Sequence, residues 1–190
     1  VPGGQFVLYR PLNLPTMFDL VRDSEDSLTG FEHLLAAQYK LDKTTLGAYR
    51  NTLDYQAERP GQSAPVDQLF FHRLTSGGRI DSFYQNKHLR IAEIEFLRED
   101  FFRLRWQING VEYSETIAEI VASARTLLSP GRAQTTIVGH GDAHNGNVFY
   151  DAAHNSLLLF DPAFVGRHDP ILDLAKPIFH NCFARWMYDP

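Results

Sequence analysis

Three side chains in the last third of the chain have the types and the spacing for proton transfer and cation binding. Asp142 and Asn147 are separated by four residues, and Asp161 follows downstream. An ordinary aspartate, with a pKa of about 3.9, is ionised at neutral pH and can orient a hydroxyl and accept its proton. A further carboxylate and an amide oxygen are hard donors of the kind Mg2+ selects, and because that ion keeps several waters, few protein ligands suffice. His140 and His144 flank Asp142 and bring ring nitrogens to the same loop.

The surrounding pattern says how such a trio is positioned. Ile137-Val138 and Val148-Phe149-Tyr150 are short β-branched and aromatic runs, and Ser156 to Phe160 is another after the turn Ala152-Ala153-His154-Asn155. The last two predict a hairpin. Asp142, Asn147 and Asp161 then fall at strand ends and in loops, where polar side chains can converge while the strands are buried. Asp, Asn and Gly also populate tight turns for backbone reasons alone, so each residue taken singly carries little.

Taken together, three motifs carry more. His140-Gly141-Asp142-x-His144-x-Gly146-Asn147, then Phe160-Asp161-Pro162, then Asp169-Pro170-Ile171-Leu172-Asp173-Leu174-Ala175 resemble, in this order, the aminoglycoside phosphotransferase and choline kinase family. These small-molecule kinases share the protein-kinase-like fold, and Asp-x-x-x-x-Asn is the spacing of the kinase catalytic loop. The resemblance implies that Asp142 is the catalytic base and that Asn147 and Asp161 are magnesium ligands. It also implies that Asp173 is the buried helix carboxylate bracing the loop and that His140 packs beneath it. ATP and Mg2+ are the implied cofactors and a small-molecule hydroxyl the implied acceptor. Aminoglycoside, choline, ethanolamine, sugar and amino-alcohol kinases share these motifs, so the acceptor stays open, as does ATP against GTP.

Composition narrows the classes. The chain has 190 residues, 44% of them hydrophobic and 13% aromatic, enough for a buried core. A net charge of -5 carries no basic footprint for nucleic acid. No stretch approaches the roughly 20 apolar residues of a membrane span, and the single cysteine, Cys182, cannot close an internal disulfide. A cytoplasmic protein is the expectation; its oligomeric state is open.

In chain order, Gln5 to Tyr9 is a β-type run. The resemblance makes it the last strand before the hinge, with Leu8, Tyr9 and Arg10 against the adenine; a plain edge strand is the alternative. Thr16 is a plausible cap for a helix over 17–22, and apolar spacing predicts helices over 28–39, 44–57 and 81–101. Thr75-Ser76-Gly77-Gly78 reads as a turn, and His72 and Arg73 before it are candidates to face an anionic or hydroxylated substrate, or plain surface residues. Asn109-Gly110 between Phe102–Ile108 and Val111–Tyr113 is a hairpin signal. Ser114 starts a helix ending before Pro130-Gly131 that resembles the long helix supporting the catalytic loop. Arg167 is a candidate for a phosphate or a surface ion pair, and a last helix from Asp173 is interrupted near Pro177.

The expected fold is α+β, mainly α: a protein-kinase-like C-terminal (large) lobe with a small β-hairpin at the catalytic loop and without the preceding small lobe. Residues 1–12 would be a hinge-like strand, 13–113 a helical substrate-side region with an insertion, and 114–190 the catalytic core, within one lobe that is a fragment. Two other readings stay open. His140, Asp142 and His144, with His154, His168 or His180 as a further ligand, could bind zinc or a dinuclear metal pair and make a hydrolase. A kinase-like lobe could also serve as a non-catalytic binding module.

Overall fold

A computed structural model describes residues 11–23, 31–57, 64–84, 88–130 and 134–188. The predicted strand over Gln5–Tyr9, and with it Leu8, Tyr9 and Arg10, lies outside the described residues.

The fold is mixed α/β, with small sheets set among helices. Helix α1 (Met17–Asp23) starts as the sequence predicts. Thr16 Oγ1 accepts from the amide of Asp19 at 3.2 Å and donates to its carboxylate at 2.6 Å. The two helices expected over 28–39 and 44–57 are instead one, α2 (Phe31–Thr52). No proline interrupts it, and a Gln38–Asp42 bond at 2.7 Å bridges one turn to the next across the expected break. The end of the second expected helix leaves the helical path and becomes strand β1 (Asp54–Ala57), because a neighbouring strand satisfies its backbone.

Residues 81–101 also depart from the expectation. Helix α4 (Arg79–Tyr84), which follows the short α3 (Phe71–Leu74), gives way to a hairpin of β2 (His88–Ile91) and β3 (Ile94–Leu97), and then to α5 (Arg98–Arg103). Ile91 pairs directly with Ile94, so Ala92 and Glu93 form a two-residue turn with Ala92 at φ 51°. Arg90 holds that turn through Ala92 O at 2.8 Å and Glu93 at 2.6 Å. The apolar spacing of this segment therefore reflects pairing, not a helix face. The second hairpin, β4 (Trp106–Ile108) and β5 (Val111–Tyr113), forms as expected, with Asn109 and Gly110 both at positive φ.

Helix α6 (Ile117–Leu127) begins two residues later than Ser114 suggests. Thr116 is its cap, accepting from Glu119 N while Glu119 returns a bond to Thr116 N at 2.8 Å. This helix packs against α3 and α5; the helices packed on the strand leading to the loop are α2 and α7. The place expected for the Ser114 helix, behind the strand that leads to the loop, is thus taken by α2 and α7.

Strand β6 (Gln134–Gly139) is the centre of a three-stranded antiparallel sheet, with β1 on one side and β9 (Gly166–His168) on the other. Strands β7 (Val148–Asp151) and β8 (Ser156–Leu159) form the predicted hairpin. Its Val148 and Leu157 share a core with Met17, Leu34 and Ala37, so α1 and α2 close over the hairpin. Burying each of the larger of these side chains contributes about 2 kcal/mol. Helix α7 (Pro170–Tyr188) runs on through Pro177, which removes one intrahelical bond without ending the helix.

Candidate active site

The loop between β6 and β7 hangs from one buried carboxylate. Asp173, near the start of α7, is 3% exposed. It accepts from Gly141 N and from the Tyr49 hydroxyl of α2, and its Oδ1 lies 3.1 Å from His168 Nε2 of β9. Burial opposes its charge, but the bonds from His168, Tyr49 and Gly141 outweigh that and hold the carboxyl below the ordinary range. Burial and the bond to Asp173 push the Tyr49 hydroxyl well up, so it stays a donor. Two glycines make the approach possible. A Cβ on Gly139 would lie 2.5 Å from Asp173 Cγ, and Gly141 sits at φ 80° with Phe164 O 2.7 Å from where its Cβ would be.

His140 ties this loop to the end of β8. Asp142 N donates to its Nδ1 at 3.3 Å, which leaves the proton on Nε2 to be donated to Phe160 O at 3.0 Å. The loop then folds on itself. His144 N and the Asn147 side-chain amide both donate to Asp142 O at 3.0 Å, and Asn147 N donates to His144 O at 2.7 Å. With its NH2 committed, Asn147 keeps Oδ1 for an external partner.

The register of the hairpin does the rest. Val148 pairs with Leu159, and Phe160 N donates to Asn147 O at 3.1 Å, so Asn147 sits opposite Phe160 and next to Asp161. Stacking of Phe149 on Phe160, with centroids 4.1 Å apart, locks that end. Asp161 is exposed, lies in the left-handed region at φ 56°, and caps nothing with its carboxylate. Such a backbone in a non-glycine residue costs on the order of 1 kcal/mol. The three acidic and amide residues singled out from sequence are therefore joined by one loop and one hairpin end, with His140 and Asp173 beneath.

Helix α7 adds Lys176 and Asn181, which sequence reasoning missed, and His180, which it named only as a further metal ligand. The ammonium of Lys176 pairs with Asp142 Oδ1, and Asp142 is 5% exposed. The His180 ring stacks on His144 at 3.9 Å, and Asn181 Oδ1 accepts from Asn145 N at 2.8 Å. The signal was present: Asp173, Lys176, His180 and Asn181 follow helical spacing on one face. Gly146 N donates to His144 Nδ1 at 3.1 Å, and His144 Nε2 is 3.5 Å from Asp142 Oδ1. Burial, then the charges of His180, Lys176 and His140, push His144 down to about 4 despite Asp142, so it is a neutral ring at ordinary pH. A cavity of about 340 Å³ lies beneath the loop, between α2 and α7, and reaches Tyr49, His140 and Asp173.

The alternative metal centre is not assembled. Both His140 nitrogens and Nδ1 of His144 are used within the protein, and among the described residues no three His, Cys, Asp or Glu side chains are grouped to hold an ion. Arg167 makes no ion pair among the described residues; its Nη1 donates to Thr52 O at 2.7 Å and ties β9 to the end of α2. Among the described residues no helix is long and apolar enough to cross a membrane.

Residues 51–187 match the family model described as the phosphotransferase enzyme family, APH. No curated protein and no solved structure matches the chain.

Proposed function

Since the chain belongs to the phosphotransferase enzyme family, we propose that it is a kinase-like enzyme transferring the γ-phosphoryl group of ATP to a hydroxyl of a small molecule. The bond from the γ-phosphorus to its bridging oxygen breaks, ADP leaves, and a new P–O bond forms to the acceptor oxygen. Asp142 orients that hydroxyl and takes its proton. Lys176 occupies Oδ1 of Asp142, which leaves Oδ2 for the hydroxyl. Asn147 through Oδ1 and Asp161 through its carboxylate are the residues to hold Mg2+; when bound, that ion neutralises charge on the phosphates. His140 and Asp173 keep the loop in place. Leu8, Tyr9 and Arg10 are the residues assigned to the nucleotide base, residues 1–190 act as one large-lobe unit, and the cytoplasm is its place of work.

The observation that carries this reading is the β7–β8 register, with Asn147 bonded to the Asp142 carbonyl and adjacent to Asp161. Both residues keep oxygen donors for a hard cation, which is what magnesium needs from a protein. Calorimetry of ATP with and without Mg2+ tests it, on the chain and on D161N. Mg-dependent binding that D161N loses supports the reading; no nucleotide binding by the unsubstituted protein would sink it. D142N then separates chemistry from binding. It is expected to keep MgATP affinity and lose turnover by about a thousandfold.

A further inference from the structure

A second cavity, of about 410 Å³, opens between α3, α4 and the end of α6, and its walls combine Leu69, Phe70, Phe83 and Leu128 with Arg73 and Arg79. Its volume suits a ring-sized ligand. Arg73 is half-buried and Arg79 exposed at its rim. Arginine ion pairs among the described residues belong to Arg22, Arg90 and Arg98, and neither Arg73 nor Arg79 has a carboxylate or a hydrogen-bond acceptor there. Two like charges thus share an apolar cavity in a protein whose net charge is -5.

We propose that this cavity is a binding site for an apolar, ring-sized molecule bearing an oxyanion, a carboxylate or a phosphonate-like group, held by Arg73 and Arg79. A guanidinium fork matches an oxyanion in shape as well as charge, and an entering anion removes the repulsion between the two arginines. Burial and the charge of Arg79 lower Arg73 from its usual value, as two cations beside one apolar cavity should. The sign is opposite to that of a pocket for cationic amines.

The test is binding without nucleotide, so it does not depend on catalysis. Four probes share a hydroxymethyl-phenyl body: 4-(hydroxymethyl)benzoate, 4-(hydroxymethyl)phenylphosphonate, the neutral 4-(hydroxymethyl)benzamide and the cationic 4-(hydroxymethyl)benzylamine. Calorimetry should show at least one anion bound about tenfold or more tighter than the amide, the tighter of the two naming the oxyanion. That preference should shrink to near unity in R73Q and in R79Q, each checked for an unchanged melting curve, and R73K should restore part of it. D142N should keep the preference, which separates the cavity from the chemistry. An anion preference in a protein that fails to bind MgATP would leave the cavity assignment standing and remove the phosphotransferase reading. Equal affinities, an amine bound tightest, or no probe bound at millimolar concentration would overturn the proposal.

Discussion

Lys176 sets its ammonium against Oδ1 of Asp142, one helical turn beyond the Asp173 that holds Gly141. One face of α7 therefore fixes both the backbone of the loop and the charge balance of its central carboxylate.

Removing that cation leaves a carboxylate that is 5% exposed without its charge partner. K176M is expected to lower stability by about 1–3 kcal/mol, less than for a fully buried pair because Lys176 is partly exposed. Phosphotransfer should fall more than MgATP affinity does, with partial recovery in K176R. Equal turnover in K176M and the parent would take Lys176 out of the site.

Asp173 joins α2, β9, α7 and the loop, so D173N should be among the most damaging substitutions. Three donors lose a charged acceptor in a buried place, a loss of about 3 kcal/mol, or roughly 6–12 °C in Tm for a chain of this size. The pH dependence has a definite sign. A carboxyl held below its unfolded value stabilises above about pH 4 and loses that contribution as pH falls further. Chemical denaturation of parent and variant should converge at low pH; parallel curves would contradict the bracing role.

Gly139 and Gly141 leave no room for a methyl group. G139A drives Cβ into the Asp173 carboxylate, and G141A adds a strained φ to a clash with Phe164 O. Each is expected to destabilise by about 2 kcal/mol or more and to displace the loop. Wild-type melting of either variant would show that the loop yields easily.

His144 predicts a second pH effect, in a different window. Its pKa is pushed down to about 4, so between about pH 4 and 6.5 the unfolded chain binds a proton that the folded one refuses. Stability should therefore fall, by roughly 2–3 kcal/mol, as pH drops through that range. H144N keeps an acceptor for Gly146 N and should flatten the slope, with a remainder from His180, which burial and Lys176 also lower. An unchanged slope in H144N would place the effect elsewhere.

What the sequence by itself determined about this protein is local. The β7–β8 hairpin, the Asn109-Gly110 turn and the Thr16 cap are dictated by residues within a few positions of one another, through turn chemistry and alternation. Hence the placing of Asp142, Asn147 and Asp161 at strand ends was legible, and three ordered motifs pointed to the family. Tertiary structure decided the rest. Whether 28–57 held one helix or two, and whether 81–101 was helix or hairpin, turned on partners that window-scale periodicity does not contain: β6 beside β1, and β2 beside β3. The choice of α2 and α7 over α6 as the helices behind the strand leading to the loop, the pairing of Lys176 with Asp142, and the meeting of Arg73 with Arg79 over an apolar cavity are likewise products of packing. Spacing along a chain sets which residues share a face; only burial against another element decides which face is used and what charge is left there without a partner.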